Sequence, residues 1–307
     1  MNTAPRHATL SISLLLCTLA PAALASEAIK PESRPLDPRG TVEISNVRGA
    51  ISVTVGDDDR VSLSGTLGAD TKLTFDGSAG RVRIKAERSG SGGGWFNWGG
   101  SGPSEDSLLE VRVPRTAALE ISAVSADTNV RGIAGSDSLE AESVSGDINL
   151  QADSARLSLS SVSGDVSFTG KSARSEIESV SGDLNLSGLR GELSLDTVSG
   201  DAVVNATDLV ELDFGSVSGD LRLSASLLGA ARLSAESVSG DIDIELPADT
   251  SARVDAETFS GRLRSDFPLK VEDHDGPGSE MHGQLGSGDA RIKLDTFSGD
   301  VNLRQRD

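Results

Sequence analysis

The chain has few of the residues on which disulfide frameworks and bulky aromatic cores depend. Its 307 residues include one cysteine, two tryptophans and no tyrosine, and aromatic residues make up only 3% of the sequence. The cysteine, Cys17, lies in an N-terminal apolar stretch, so we expect no disulfide in the rest of the chain. After that stretch, no segment reaches the run of about 20 apolar residues that a membrane-spanning helix needs. A disulfide-stapled or membrane-spanning protein is therefore not predicted.

Basic residues are scarce relative to acidic ones. The chain has 28 lysines and arginines against 47 aspartates and glutamates, which gives a formal net charge of −19. A protein with this charge is repelled by nucleic acids and by anionic lipid surfaces. The composition therefore argues against nucleic acid as a partner and leaves a glycan or an envelope protein as the expected partner class.

The first 25 residues have the pattern of a secretory signal. Arg6 precedes an apolar stretch over Leu10–Leu19, and Ala23-Leu24-Ala25 provides small residues for cleavage before Ser26. We therefore expect an exported, soluble protein that is periplasmic, attached to the cell surface or secreted.

The most abundant feature of the chain is a five-residue word, Ser-Val-Ser-Gly-Asp, which returns at a nearly fixed interval. It occupies 143–147, 161–165, 179–183, 216–220 and 237–241, begins with Thr at 197–201, and is degenerate at 123–127, 258–262 and 296–300. The central apolar residues from Val124 to Phe259 are 18 to 21 residues apart, and a gap of 38 leads to Phe297. Such a period is typical of a solenoid, in which each repeat is one coil stacked on the previous coil.

Within one repeat, apolar and polar residues alternate as in a half-buried strand. Leu157 and Leu159 have one parity and Val162 has the other, which predicts a corner or bulge near Ser160-Ser161. The inward residues predicted from there on are Val162, Gly164, Val166 and Phe168. The glycine either turns the corner with a positive φ or lets neighbouring backbone approach closely. Each coil should contain two or three short strands.

The chain divides into a signal (1–25), a linker (26–39), a strand-rich N-terminal cap (40–115) and β-solenoid repeats (116–307). The cap contains a Gly/Ser/Trp loop at 89–104, and the repeats are interrupted by an insertion at 265–284. The last unit, 288–303, is expected to close the stack. The predicted fold class is all-β, a single parallel β-solenoid with 18–21-residue coils.

Several segments together resemble the bacterial putative-adhesin family, an exported domain of unknown function built of β-strand repeats. They are the opening unit 40–53, Leu-Glu-Val-Arg-Val-Pro at 109–114, Val-Ser-Ala-Asp at 124–127, the Val-Ser-Gly-Asp series and the closing unit 297–303. The resemblance implies a β-solenoid and an envelope or surface location. It implies no reaction and no catalytic residues. The tryptophan-bearing loop and the insertion near His274 depart from the family pattern.

Stacking would place one aspartate of each repeat in a column with a spacing of about 4.8 Å. The column consists of Asp147, Asp165, Asp183, Asp201, Asp220 and Asp241. One interpretation is a calcium ladder, as in other Gly- and Asp-containing solenoids. We favour hydrogen-bonded, solvated carboxylates without a metal, because a local hydrogen bond worth roughly 0.5–1.5 kcal/mol offsets a repulsion of about 0.9 kcal/mol in water. No cofactor is predicted.

Three aromatic residues are the candidate ligand- or partner-binding residues. Trp95, Phe96 and Trp98 lie in the glycine-rich loop, where they could stack on sugars or dock a partner. The competing interpretation is that they cover an apolar end of the solenoid. A serine column, from Ser125 to Ser298, is interpreted as a soluble outward face, with a glycan-binding face as the alternative.

Catalysis has little support in the sequence. The one histidine-containing cluster after the signal, Asp273, His274, Asp275, Glu280 and His282, is interpreted as a solvated loop rather than a metal site. We therefore predict a non-catalytic protein, a structural or adhesin-like binding module of the bacterial cell envelope. The alternatives are a carbohydrate-active enzyme on a β-helix and a periplasmic accessory or sensor protein of an envelope-stress system. The oligomeric state is left open.

Overall fold

The computed structural model describes residues 26–89, 105–273 and 277–306, which form 22 β-strands and, within those ranges, no helix that could cross a membrane. The strands are β1 (Glu27–Ala28), β2 (Glu32–Pro35), β3 (Thr41–Val55), β4 (Arg60–Leu67), β5 (Thr71–Ser78), β6 (Arg81–Arg88), β7 (Ser107–Val113), β8 (Ala118–Ser136), β9 (Leu139–Ser143), β10 (Ile148–Ser161), β11 (Val166–Thr169), β12 (Ser172–Ser181), β13 (Leu184–Ser199), β14 (Ala202–Ser218), β15 (Leu221–Ser239), β16 (Ile242–Pro247), β17 (Ala252–Thr258), β18 (Leu263–Ser265), β19 (Lys270–Asp273), β20 (Ser279–Leu285), β21 (Ala290–Ser298) and β22 (Val301–Arg306). The predicted all-β class is confirmed.

Successive repeats pair in parallel, with equivalent positions side by side. Ile148 of β10 pairs with Val166 of β11, and Ser161 of β10 pairs with Ser179 of β12. The same register continues from β12 to β13, from β13 to β14 and from β14 to β15. The predicted stacking of one repeat on the next is therefore confirmed for these coils.

The inward residues of a coil come in two sets separated by a polar connector. In β10 they are Ile148 and Leu150 before the connector, and Leu157 and Leu159 after it. Both sets belong to one buried core that extends through the stack. Each repeat thus contributes two layers of apolar side chains, because residues with the same parity of a strand lie on the same face.

Antiparallel strands end the stack on its N-terminal side. The first half of β3 pairs in parallel with β6 and the second half with β7, while β8 pairs along the other edge of β3. β5 is antiparallel to β6, β4 is antiparallel to β7, and β1 and β2 are antiparallel to β4. The parallel ladder therefore ends in hairpin-like pairs on this side.

The expectation that the last unit closes the stack is wrong. β21 lies between β15 and β17, and β22 lies between β16 and β18. The coil formed by β17 and β18 therefore comes last in the stack, although it precedes β21 in the chain. Within the insertion, β20 pairs antiparallel with the outer edge of β17, and β19 pairs with β20. The C-terminal unit occupies the inner edge.

The corner of each repeat also differs from the prediction. Gly164, Val166 and Phe168 face inward as expected, but Val162 is 45% exposed and Ser161 is buried. Ser161 continues the inward parity of Leu159, and the next two residues both face outward. The corner therefore lies at Val162-Ser163 rather than at Ser160-Ser161.

Candidate binding surface

At Ser143 and Ser161 a buried hydroxyl closes the corner of the repeat from the inside, whereas the equivalent buried hydroxyls of Ser179, Thr197 and Ser237 have no hydrogen-bond partner among the described residues. Ser161 Oγ accepts a hydrogen bond from the N–H of Gly164 at 3.1 Å and donates to the carbonyl oxygen of the same residue at 2.8 Å. Ser143 makes the same two bonds with Gly146, at 2.9 and 2.7 Å. Because the hydroxyl satisfies both backbone groups, the serine can be buried. The following valine is left on the outside.

The glycine of the corner is needed because the preceding coil lies too close for any side chain. A Cβ at Gly164 would collide with the carbonyl oxygen of Gly146, the equivalent residue one coil earlier. Gly219 meets Gly200 in the same way, and neither Gly164 nor Gly219 has a positive φ. Of the two roles considered for this glycine, close approach of neighbouring backbone is therefore the one these positions require.

The aspartates form the predicted column, and each carboxylate accepts a hydrogen bond from the next coil. Asp147 Oδ1 accepts the N–H of Asp165 at 3.1 Å, and Asp165 Oδ1 accepts the N–H of Asp183 at 3.0 Å. The same contact continues through Asp201, Asp220, Asp241 and Asp300. Hydrogen bonding of these carboxylates was expected, but the donor belongs to the following coil rather than to local backbone. Among the described residues, no group of three or more His, Cys, Asp or Glu side chains is arranged to hold a metal ion.

Asp300, near the C-terminal end of the column, has basic neighbours. Arg262 Nη2 and Arg264 Nη1 lie 2.9 and 3.2 Å from its Oδ2. Burial acts to raise the pKa of Asp300, but the hydrogen bonds from Arg262 and the charges of both arginines outweigh it and lower the pKa below its ordinary value. This end of the column is thus neutralised by the chain itself.

Replacing Asp183 tests the role of the column. We expect Asp183→Ala to lower the free energy of unfolding by about 1 kcal/mol, because the N–H of Asp201 loses its acceptor. Asp183→Asn keeps an oxygen at the same place and removes one of several like charges, so its stability should equal or exceed that of the parent. Urea unfolding followed by circular dichroism measures both. Equal losses for the two variants would contradict a hydrogen-bonding role.

The central apolar residues of the repeats lie in single file on the outside of the stack, a feature we call the apolar ridge. The register of the flanking residues aligns them. In stack order, the ridge consists of Val47, Val124, Val144, Val162, Val180, Val198, Val217, Val238, Phe297 and Phe259. Eight of these side chains are 41–59% exposed. At about 4.8 Å per coil, the ridge is about 43 Å long.

Two stacked phenylalanines end the ridge on the C-terminal side. The ring centroids of Phe259 and Phe297 are 4.9 Å apart and their planes differ by 7°, although about half of each side chain is exposed. A groove of about 790 Å³ runs beside the rings, between them and residues 277–280. Among the described residues, the charged ones that line the groove are Glu236, Glu257, Glu280, Asp295 and Lys293. Lys293 contacts both Glu236 and Asp295, so the lining remains acidic.

Acidic side chains border the ridge on both sides. Two residues before the ridge position, six coils carry a carboxylate: Glu142, Glu178, Asp196, Glu236, Asp295 and Glu257. Three residues after it runs the aspartate column. In the described part of the chain, no lysine or arginine side-chain nitrogen lies within 4 Å of a carboxylate oxygen of Asp147, Asp165 or Asp183, whereas Arg222 bridges Asp201 and Asp220 at 3.5 and 3.3 Å. The ridge is therefore an apolar strip between two rows of negative charge.

Three other sets of residues were singled out from the sequence: the loop aromatics, the histidine-containing cluster and the serine column. Trp95, Phe96 and Trp98 lie outside the described residues, as do His274 and Asp275. His282 Nε2 is 4.0 Å from Glu272 Oε1. The serine column is exposed, and the hydroxyl oxygens of Ser125 and Ser145 are 3.1 Å apart.

Sequence reasoning missed the ridge, although a signal for it exists in the repeats. The first position of the word is a serine or threonine in eight of its nine copies. This residue has the parity of the buried leucines before it. A hydroxyl at that position, three residues before a glycine, indicates a corner closed from within and hence an outward valine.

Comparison with known proteins identifies the family of the chain. A family model described as Toastrack DUF4097 matches residues 41–304. Among solved structures, a putative adhesin from Parabacteroides merdae ATCC 43184 is 10% identical, with 92% of this chain and 97% of that chain covered and a TM-score of 0.51. A putative adhesin from Bacteroides fragilis NCTC 9343 is 11% identical over 91% of this chain and 98% of that chain, with a TM-score of 0.45.

A further solved structure, a putative lipid binding protein from Parabacteroides distasonis ATCC 8503, is 13% identical over 89% of this chain and 96% of that chain, with a TM-score of 0.43. The search of curated proteins finds no match. The resemblance inferred from the repeat motifs is confirmed by the family match. The chain belongs to the Toastrack DUF4097 family, a domain of unknown function.

Proposed function

We propose that this protein is a non-catalytic, adhesin-like binding module of the bacterial cell envelope, built as a single β-solenoid with coils of 18–21 residues. The parallel, in-register pairing of β10 to β15 supports the solenoid. Antiparallel strands lie at both ends of the stack: β4 and β5 pair with β7 and β6 at one end, and at the other β20 pairs with β17, whose edge would otherwise be bare.

The apolar ridge is the observation that carries this proposal. A single exposed valine is ordinary, but a contiguous exposed apolar strip marks a place where a partner binds. At Val162 the outward residue is not needed to close the corner, because the hydroxyl of Ser161 and the close approach at Gly164 already do so. The same surface recurs on coil after coil, which suits an extended partner better than a single reaction centre.

The envelope location rests on two further observations. Residues 1–25 have the pattern of a secretory signal. The Parabacteroides merdae protein that shares this fold is described as a putative adhesin. Cell fractionation of the full chain and of a chain without residues 1–25 tests the location, and finding both forms in the cytosol would contradict it.

A ridge variant tests the binding surface. Val162, Val180 and Val198 are replaced together by threonine, which keeps the β-branched shape while making the surface polar. We expect the fraction of purified protein that cosediments with isolated envelopes to fall at least about five-fold, since the buried apolar area is lost.

The matched control changes three exposed valines away from the ridge, Val203, Val210 and Val271, to threonine. This control should cosediment as well as the parent, and thermal melting should show both variants folded. If the ridge variant cosediments as strongly as the control, the ridge is not the binding surface.

A further inference from the structure

We infer that the partner of the apolar ridge is a cationic amphipathic helix of another polypeptide. The inference rests on the binding function proposed for the ridge and adds the chemistry of its partner. Three properties of the ridge support it: the sign of the charge beside it, the spacing of its side chains, and the aromatic groove at its end.

The charge beside the ridge selects a positive partner. Residues 105–273, which hold most of the ridge, contain 31 acidic and 13 basic residues, whereas residues 26–89 contain 10 of each. The negative charge is therefore concentrated in the coils that carry the exposed valines. Lysines or arginines next to a partner's apolar residues would face carboxylates such as Glu178 and Asp183.

The same charge disfavours a second copy of this chain as the occupant. Two ridges placed face to face would bring the acidic rows of one copy against those of the other. Like charges in such an arrangement repel, and partial exclusion of water strengthens the repulsion. An anionic lipid surface is disfavoured for the same reason.

The spacing of the ridge suits an α-helix. Neighbouring ridge side chains are about 4.8 Å apart, and one turn of a helix advances about 5.4 Å. A helix lying along the ridge with one apolar residue per turn therefore drifts by only about 3 Å over five turns. Same-face residues of an extended strand are about 6.8 Å apart, so they lose their alignment with the ridge side chains within about three coils.

The groove beside the phenylalanines provides an anchor for such a helix. Phe259 and Phe297 offer exposed ring surface next to the carboxylates of Glu236 and Glu257. An arginine or lysine over a ring within about 6 Å gains a cation–π contact as well as the nearby negative charge. Apolar contact, ring surface and carboxylates thus meet at one place.

Synthetic peptides test the inference directly. The probe is an 18-residue peptide of leucine and lysine with leucines on one helical face, about 27 Å long and able to span five to six coils. Two controls have the same length: a scrambled peptide of identical composition without an apolar face, and a peptide with glutamate in place of every lysine. Fluorescence anisotropy with the full chain measures each dissociation constant.

We expect the amphipathic cationic peptide to bind at least ten-fold more tightly than either control, and its affinity to fall as salt is raised. The threonine variant of Val162, Val180 and Val198 should bind it at least ten-fold more weakly. Glu178→Gln with Asp196→Asn should also weaken binding, whereas Glu245→Gln with Asp249→Asn, away from the ridge, should not.

Equal affinity for the amphipathic and scrambled peptides would overturn the inference, because it would show attraction by net charge alone. Tighter binding of the glutamate peptide would overturn it too, as would full affinity in the ridge variant. If envelope cosedimentation depends on the ridge while the peptides show no preference, the partner chemistry is wrong and the binding function stands.

Discussion

Gly164→Ala is expected to lower the free energy of unfolding by about 3 kcal/mol or more. The added Cβ would occupy the space of the Gly146 carbonyl oxygen, so two coils must separate at the corner. Overpacking of a close-packed interior costs about 1–3 kcal/mol when flexible side chains can adjust, and here the obstacle is backbone. Equilibrium unfolding in urea, followed by circular dichroism, measures the loss.

Gly80→Ala is the matched control for this prediction. A Cβ at Gly80 meets no atom within 4 Å. Its stability should therefore differ from that of the parent by less than about 1 kcal/mol, and the reduced flexibility of the unfolded chain favours the alanine. If Gly164→Ala proves as mild as Gly80→Ala, close approach does not explain the glycine of the repeat.

Phe168→Ala is expected to cost about 3–5 kcal/mol, the range for truncating a buried phenylalanine. The side chain is 1% exposed, and its neighbours across the parallel ladder are Leu150 and Leu186. Because each coil contacts only the coils beside it, a cavity at this level weakens the coupling between the two halves of the stack. Urea unfolding gives the lost stability, and calorimetry shows whether the transition broadens.

An exposed phenylalanine provides the control for Phe168. Phe297 is 59% exposed and stacks on Phe259. Phe297→Ala should therefore cost only the stacking contribution, about 0.5–1.5 kcal/mol. Similar losses at Phe168 and Phe297 would contradict the assignment of Phe168 to the core.

The stacking of the coils was predictable from the sequence because the repeat word marks the same position in each coil. Leu157 and Leu159 have the strand alternation, and a recurrence of 18 residues aligns equivalent positions. The direction of Val162 was not predictable from alternation alone. Alternation predicts that an apolar residue faces inward, whereas here the hydroxyl residue Ser161 is buried, with two hydrogen bonds to Gly164 that form only when the corner is closed.

The order of the last coils could not be predicted either. The units that contain Phe259 and Phe297 have the same inward pattern, and β21 pairs equally well in register with β15 and with β17. Local sequence carries no information on which of two such units is the inner one. The aspartate column could be predicted, because a carboxylate at the same position of every coil lies beside its equivalents in the neighbouring coils. The backbone N–H of the next coil that donates to each carboxylate could not be predicted, because it depends on how the coils pack.

The position of β21 and β22 makes the coils on both sides of them depend on these two strands for pairing. Residues 290–306 are synthesised after β17 and β18, yet they fill the gap between those strands and the earlier coils. Until they arrive, β15, β16, β17 and β18 each have an unmatched row of backbone donors and acceptors, which invites pairing with other molecules. The pairing of these coils is therefore complete only when residues 290–306 are in place, and removing those residues would expose strand edges and favour aggregation rather than merely shorten the stack.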